Sequence, residues 1–376
     1  MNNLFSVADY QKAARRRLPK IVYDYLEGGA DDESGLVHNN QASELWSLLP
    51  KRLVDVSKRD QSIQLFNRPM TTPLIIAPTG LNSALWPQGD LALARAAQKA
   101  GIPFTLSTAS NMSIEDVAQA GGDLWFQLYV VHRDLTRNLV QRARDAGYST
   151  LILTVDVAVN GFRQRDLRNG FSMPFKASPR IVVDGITHPR WLWSYLKNTK
   201  PQLKNFAGLN ASTLEAQAAL LRRQMDASLS WNDLRRLRDQ WPGTLLVKGI
   251  LTAEDAAHCR QAGVDGVIVS NHGGRQLACL PAWSQVLAPV SDAFAGRGVL
   301  VDGGIRNGAD AVKAIALGAS AVMLGRATLY GLAARGEQGV TDVIEFFKRD
   351  IDRTLALIGC PSLCELDRSY IARRPF

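Results

Sequence analysis

Val299-Leu-Val-Asp-Gly-Gly-Ile-Arg-Asn-Gly-Ala-Asp-Ala-Val-Lys-Ala-Ile-Ala-Leu-Gly-Ala-Ser-Ala-Val-Met-Leu-Gly-Arg326 holds one complete structural unit and the start of the next. The apolar run Val299 to Asp302 reads as a strand and is followed by a glycine-rich loop. Ala309 to Leu317 has helical spacing and stops at Gly318, and Ala321 to Gly325 reads as a second strand. A strand, a helix and a strand in that order make a βα unit of a parallel sheet. Working outward, the same rhythm recurs at Leu74 to Ala77, Phe104 to Ser107, Trp125 to Tyr129, Leu151 to Asp156, Leu245 to Lys248 and Gly266 to Ser270. Helical patterns at Ala92 to Ala100, Leu135 to Ala146 and Ala253 to Ala262 end at Gly101, Gly147 and Gly263. Eight such strands predict an α/β fold of the (β/α)8 TIM-barrel type rather than an open sheet. Two helices are expected before Leu74, an inserted segment after the fourth strand, and a closing helix over Phe346 to Ile358.

The 376 residues, 46% of them hydrophobic, exclude a disordered chain. The formal charge of +9 is spread over the chain instead of being concentrated in a nucleic-acid-binding tract. Cys259, Cys279, Cys360 and Cys364 have no C-x-x-C spacing and no histidine cluster beside them, so no metal site is expected and a reducing compartment fits best. The first residues lack a basic stretch leading into an apolar one, so secretion is not expected, and no apolar run is long enough to span a membrane.

Alternation along strands provides a test of the barrel. Thr105 with Ser107, Gln127 with Tyr129, Thr154 with Asp156, and Ile268 with Ser270 and His272 keep an i, i+2 spacing, which puts polar groups on one face near the C-terminal strand ends. Active sites of this fold lie at that end. Lys248 closes an apolar strand and needs a partner if buried. In Ile268-Val-Ser-Asn-His-Gly-Gly-Arg-Gln-Leu277, His272 can take a proton and Arg275 can grip a carboxylate. Read alone, Gly273 and Gly274 also fit a surface turn with His272 solvated, Tyr23-Asp-Tyr25 equally fits core aromatics, and Arg163 also fits a solvated charge. Asp302 to Arg306 and Gly325-Arg326, glycine loops after strands seven and eight with an arginine each, suit a phosphate group. No Gly-x-Gly-x-x-Gly follows the first strand, which disfavours a nicotinamide site of the Rossmann kind.

Over nearly its whole length the chain resembles the flavin mononucleotide (FMN)-dependent 2-hydroxy-acid dehydrogenase and oxidase family. The resemblance rests on Tyr23-Asp-Tyr25 with Gly28-Gly29, Pro78-Thr-Gly80, Leu106-Ser-Thr108, Gln127-Leu-Tyr129, Thr154-Val-Asp156, Arg163, Val247-Lys-Gly249, Ser270 to Leu277, Asp302 to Arg306 and Gly325-Arg326. Asn3-Leu-Phe, Pro78 to Asn82, Ala84 to Pro87 and Ala327 to Gly331 are most similar to its mandelate-oxidising branch. The resemblance implies a single FMN hydroxy-acid dehydrogenase domain over 1–376, with 174–212 as an inserted membrane-associating segment. It implies that FMN is bound by Pro78, Thr79, Gly80, Ser107, Gln127, Thr154, Lys248, Ser270, Asp302, Gly303, Gly304, Ile305, Arg306, Gly325 and Arg326. Lys248 would stabilise charge on the reduced flavin. Arg163 and Arg275 would clamp the substrate carboxylate, Tyr25 and Tyr129 would hydrogen-bond the substrate, His272 would be the base and Asp156 its orienting partner.

The expected reaction is oxidation of an (S)-2-hydroxy acid, with (S)-mandelate the expected substrate, electrons passing to a membrane quinone. The alternative is an L-lactate dehydrogenase or a broad 2-hydroxy-acid oxidase that makes hydrogen peroxide. One departure stands out: the family usually has Asp after Arg-Gln-Leu, and this chain has Ala278. Between Lys176 and Lys204, six Lys or Arg against one Asp are interleaved with Ile181, Trp191, Leu192, Trp193 and Tyr195. That mixture suits the headgroup region of an anionic membrane, the alternative being a basic flexible lid over the active site. A peripheral protein on the cytoplasmic side of the inner membrane is expected. Barrels of this kind often assemble as tetramers, so a homotetramer is expected as well.

Overall fold

The computed structural model describes residues 4–131, 133–171, 178–198, 203–206, 225–295 and 298–374. Eight parallel strands close into a barrel: β1 (Leu74–Thr79), β2 (Phe104–Ser107), β3 (Leu124–Leu128), β4 (Thr150–Thr154), β5 (Thr244–Ile250), β6 (Gly266–Val269), β7 (Val299–Val301) and β8 (Ala321–Leu324). Neighbours in sequence are neighbours in space, and β8 closes the cylinder by pairing Val322 with Leu74. The expected strands are all present, with ends displaced by one or two residues.

Strand parity sorts the side chains into two sets. Leu74, Ile76, Phe104, Leu106, Phe126, Leu151, Leu153, Leu245, Val247, Val267, Val269, Val299, Val301, Val322 and Leu324 join the cluster packed against the surrounding helices. The alternate positions Ile75, Ala77, Trp125, Ile152, Leu246, Ile268, Leu300, Ala321 and Met323 form a separate cluster that fills the barrel lumen. The lumen is thus a packed core with mainly apolar lower layers, and polar side chains follow two residues higher at Thr79, Gln127, Thr154, Lys248, Ser270 and Asp302.

Three elements differ from the sequence expectation. Three helices, not two, precede the barrel: α1 (Val7–Arg17), α2 (Lys20–Glu27) and α3 (Ser34–Gln41). A hairpin of Ile63–Leu65 and Arg68–Met70 follows, turning through Phe66 and Asn67 with φ of 50° and 61°. Its Leu65 and Met70 are buried in the lumen cluster, and Phe66 lies 6.2 Å from the Trp125 ring, so the hairpin plugs the N-terminal mouth. The closing helix extends much further than Phe346 to Ile358. After α4 (Gly89–Ala100), α5 (Pro179–Thr187) and α6 (Pro189–Lys197), the last helix α7 runs from Arg326 to Ile358. It breaks at Arg335 and Gly336, where a Cβ on Gly336 would lie 2.5 Å from the Trp86 ring. Ile371–Arg373 returns to pair antiparallel with Trp46–Leu48.

Residues 178–198 and 203–206 of the inserted segment are described. The parts at 174–177, 199–202 and 207–212, and Asn3 at the N-terminus, lie outside the described residues.

Candidate active site

A cavity of about 520 Å³ opens at the C-terminal end of the barrel. Every site residue expected from the sequence lines it except Asp156 and Ser270, which stand directly behind His272 and Lys248. The cavity has three chemically distinct regions.

The floor is the polar top layer of the lumen. Gln127 Oε1 accepts from Ser107 Oγ and Gln127 Nε2 donates to Thr154 Oγ1, both at 2.9 Å. Lys248, 4% exposed, donates to Ser270 Oγ at 2.6 Å and pairs with Asp302 Oδ2 at 2.9 Å. Asp302 itself lines the cavity, and its Oδ1 is buried with no hydrogen-bond partner among the described residues.

One end is built from backbone. Gly303 and Gly304 have φ of 101° and 78°, and a Cβ on Gly304 would lie 1.8 Å from the Asn39 carbonyl oxygen, so only glycine fits there. The chain passes Ile305 and Arg306, and the N-terminus of α7 starts at Gly325 beside it. Arg306 lies 5.9 Å from the Tyr330 ring centroid. Arg326 lines the cavity, but its guanidinium donates to the carbonyls of Leu26, Glu27, Gly28 and Gly273, so it braces the end of α2 against the His272 loop. Burial, then the neighbouring Arg275, lower its pKa to about 10.

The third region holds the titrating groups. His272 sits at φ 58°, followed by Gly273 at 63° and Gly274 at 72°, three left-handed residues in a row. Such strain in a non-glycine residue persists only where the surroundings over-determine it. Here Ser270 Oγ accepts from the His272 N–H, and Asn271 exchanges hydrogen bonds with Asn39. The imidazole Nδ1 lies 2.9 Å from Asp156 Oδ1, and Nε2 lies 3.3 Å from Tyr129 Oη. A carboxylate can only accept, so Asp156 keeps the proton on Nδ1 and leaves the Nε2 lone pair toward the cavity. Burial lowers the pKa of His272, Lys248 and Arg163 push the same way, and Asp156 opposes them. Burial raises Asp156, but His272 and Lys248 outweigh it and hold the carboxyl below its ordinary value. The pair at neutral pH is a neutral imidazole beside an ionised carboxylate, a base poised to accept a proton.

Arg275 donates to the carbonyls of Tyr25 and Gly28 at 2.9 and 2.6 Å and lies 5.1 Å from the Tyr25 ring centroid. Arg163, 9% exposed, donates through Nε to the Arg275 carbonyl at 3.3 Å. The buried guanidinium of Arg163 and the half-buried one of Arg275 both line the cavity beside His272, a concentration of positive charge suited to an anion, and burial at 9% exposure speaks against a solvated surface Arg163. At Ala278, where the resemblance led us to expect Asp, the backbone N–H donates to Asp31 Oδ2 at 3.0 Å. A carboxylate from the N-terminal region therefore steadies the loop.

Several cavity residues carry no sequence signal that would have found them. Phe171 stacks on Tyr25 with centroids 4.3 Å apart and rings 3° from parallel. Leu81, Val157, Phe162, Leu167, Leu203 and Met225 add an apolar wall.

The family model described as FMN-dependent dehydrogenase matches residues 14–373. The chain is 59% identical over 370 residues to (S)-mandelate dehydrogenase of Pseudomonas putida, covering 98% of this chain and 94% of that protein. L-lactate dehydrogenase of Pseudomonas aeruginosa is 40% identical over 371 residues, 97% of each. Among solved structures, that of the monotopic membrane protein (S)-mandelate dehydrogenase superposes with a TM-score of 0.96 at 58% identity, covering 99% of this chain and 100% of that one. The glycine cradle with Arg306, which suits a phosphate, and the hydrogen-bonding floor with the Lys248 cation, which suits a polar ring system, fit a flavin phosphate ester. The chain belongs to the FMN-dependent dehydrogenase family.

Proposed function

We propose that the protein oxidises (S)-mandelate, an (S)-2-hydroxy acid, to the 2-oxo acid. The observation that carries this reading is the convergence of Arg163, Arg275 and the His272–Asp156 pair on one cavity with an apolar wall. FMN, when bound, would accept the two electrons of the oxidation together with the hydrogen that leaves the hydroxyl-bearing carbon. Ser107, Gln127, Thr154 and Lys248 would hold its ring system beside Pro78, Thr79 and Gly80, and the backbone from Asp302 to Arg306 with Gly325 would hold its phosphate. Arg326, already engaged with four carbonyls, would serve mainly to fix that loop.

Arg163 and Arg275 grip the substrate carboxylate and thereby aim the hydroxyl-bearing carbon. Tyr129 and Tyr25 orient the hydroxyl and carboxylate. His272 Nε2 receives the hydroxyl proton, and Asp156 stabilises the imidazolium that results.

The apolar wall favours a phenyl over a methyl substituent. Burying the additional ring surface contributes about 2–3 kcal/mol at roughly 25 cal/mol per Å². Mandelate should therefore exceed lactate in kcat/KM by about 30- to 150-fold with an artificial dye as acceptor. Equal or reversed values would move the chain to the lactate-oxidising reading, and stoichiometric peroxide in air would make it an oxidase.

The acceptor we propose is a quinone in the membrane, reached by a peripheral protein on the cytoplasmic face and assembled as a homotetramer. Among the described residues no helix is long and apolar enough to cross a membrane. On α5 and α6, Val182, Val183, Ile186, Trp193 and Leu196 are each at least half exposed, with the Lys197 ammonium 4.6 Å from the Trp193 ring centroid. Trp191 points the other way: it is buried, stacks on Tyr195 and donates to the Ala84 carbonyl at 2.8 Å. An outward apolar face with basic residues at its edge fits a lipid surface better than a lid. The combined Val183→Glu, Ile186→Glu and Trp193→Glu variant should leave the membrane pellet while keeping its activity with dye. A wild-type protein that never sediments with anionic vesicles would refute the anchor.

A further inference from the structure

Asp90 is fully buried on the first turn of α4, lies outside the cavity lining, and has no part in the proton and carboxylate chemistry above. Its Oδ1 accepts from Asn82 Nδ2 and its Oδ2 from Ser110 Oγ, both at 2.7 Å. The Asn111 backbone N–H also bonds to this carboxylate. Asn82 passes the contact on, because the same Nδ2 donates to Thr79 O at 3.1 Å and Thr79 Oγ1 at 3.0 Å. One amide hydrogen thus serves Asp90 and the other is shared across Thr79.

A single carboxylate therefore ties two loops together, the one leaving β1 and the one leaving β2. Both line the same side of the cavity, through Thr79, Gly80 and Leu81 on one and Ser107 and Ala109 on the other. Their fit is tight: Leu81 N–H donates to the Ala109 carbonyl at 3.1 Å, and a Cβ on Gly80 would lie 3.0 Å from Ala109 Cβ. Leu81 itself is held at φ 60°, a left-handed conformation that a leucine adopts only under constraint. Burial raises the Asp90 carboxyl to about 6 against its hydrogen-bond donors, so it is ionised at neutral pH and can only accept.

We propose that Asp90 is a positioning residue for the oxidation, setting through Asn82 and Ser110 the spacing of the two loops that border the flavin. This rests on the reading above that Pro78, Thr79 and Gly80 lie against that group. Asparagine at this position has the shape of aspartate but offers N–H where a donor now points. Asn82 must then turn its amide and release Thr79, or Ser110 must give up its bond. The change also removes a buried charge, so folding is expected to survive.

The test uses FMN-loaded wild type, Asp90→Asn and Ser110→Ala. Sulfite is the probe, since it adds reversibly as a nucleophile to the reducible nitrogen of oxidised flavin and bleaches it. Asp90→Asn should bind sulfite about tenfold more weakly and lose about tenfold in kcat, the size of one net hydrogen bond. Its KM for mandelate should stay within about twofold because the arginine clamp is untouched. Ser110→Ala should shift in the same direction by a smaller factor. Wild-type sulfite affinity and kcat in Asp90→Asn, whatever its melting temperature, overturn the proposal. Should that variant not fold, unchanged values in Ser110→Ala decide against it equally. A wild type that mandelate fails to bleach sinks the functional reading instead, which keeps the two failures apart.

Discussion

His272→Ala should lower turnover with (S)-mandelate by about 10²- to 10⁴-fold, the range for removing a positioned general base, while FMN stays bound. The cofactor would survive because the groups that would hold it, from Pro78 to Arg326, do not depend on the imidazole. Substrate affinity should change little, since the proposed carboxylate clamp of Arg163 and Arg275 is left intact. The same residue sets the acid limb of the pH profile. Burial, Lys248 and Arg163 hold its pKa below 6.5 against the opposing pull of Asp156. The reactive form is the neutral one, so kcat/KM should be flat above that value and fall as the pH drops through it. Asp156→Asn removes the one group among these that raises the pKa, so the limb should move to lower pH even as turnover falls. A limb at or above 6.5 in the wild type, or one that moves upward in Asp156→Asn, would contradict this electrostatic picture.

Lys248→Met should be the most damaging change on the cavity floor, for two separable reasons. Lys248 is the buried cation beside Ser270 and Asp302, and an aliphatic side chain leaves Asp302 buried without its counter-charge. Breaking one side of such a pair costs about 3–5 kcal/mol. Thermal unfolding of the loaded protein would show this as a lowered Tm. Loss of a positive charge where negative charge develops should also cost about 10²- to 10³-fold in kcat. The two effects part company in the double variant Lys248→Met with Asp302→Asn. Stability should largely return, because no lone carboxylate remains, whereas turnover should not. Recovery of both together would show that Lys248 matters only for folding.

The barrel was legible in the sequence because its strands are covered on both faces and so read as largely apolar runs, several of them entered from a helix that stops at a glycine, as at Gly101, Gly147, Gly263 and Gly318. The polar floor was legible through parity: Ser107, Gln127, Thr154 and Ser270 could only interrupt such runs if they faced something other than hydrocarbon. What escaped lacks a local pattern. The three-residue strands of the plugging hairpin are too short to show a period, and the glycine break at Gly336 disguised one long helix as a loop before a short one. Phe171 meets Tyr25, and Asn39 meets Asn271, across well over a hundred residues of chain. Asp31 likewise supplies from far upstream the carboxylate that position 278 lacks. Contacts of that kind are made by the fold and leave no trace in spacing.

The central claim is that His272, held by Asp156 and flanked by Arg163 and Arg275, removes the proton that allows a hydroxy acid to reduce bound FMN. Anaerobic rapid mixing of the yellow protein with (S)-mandelate tests it most directly. Fast loss of flavin absorbance in the wild type, slowed by at least about 10²-fold in His272→Ala at equal FMN content, is the predicted result. Bleaching at the same rate in both proteins would contradict it.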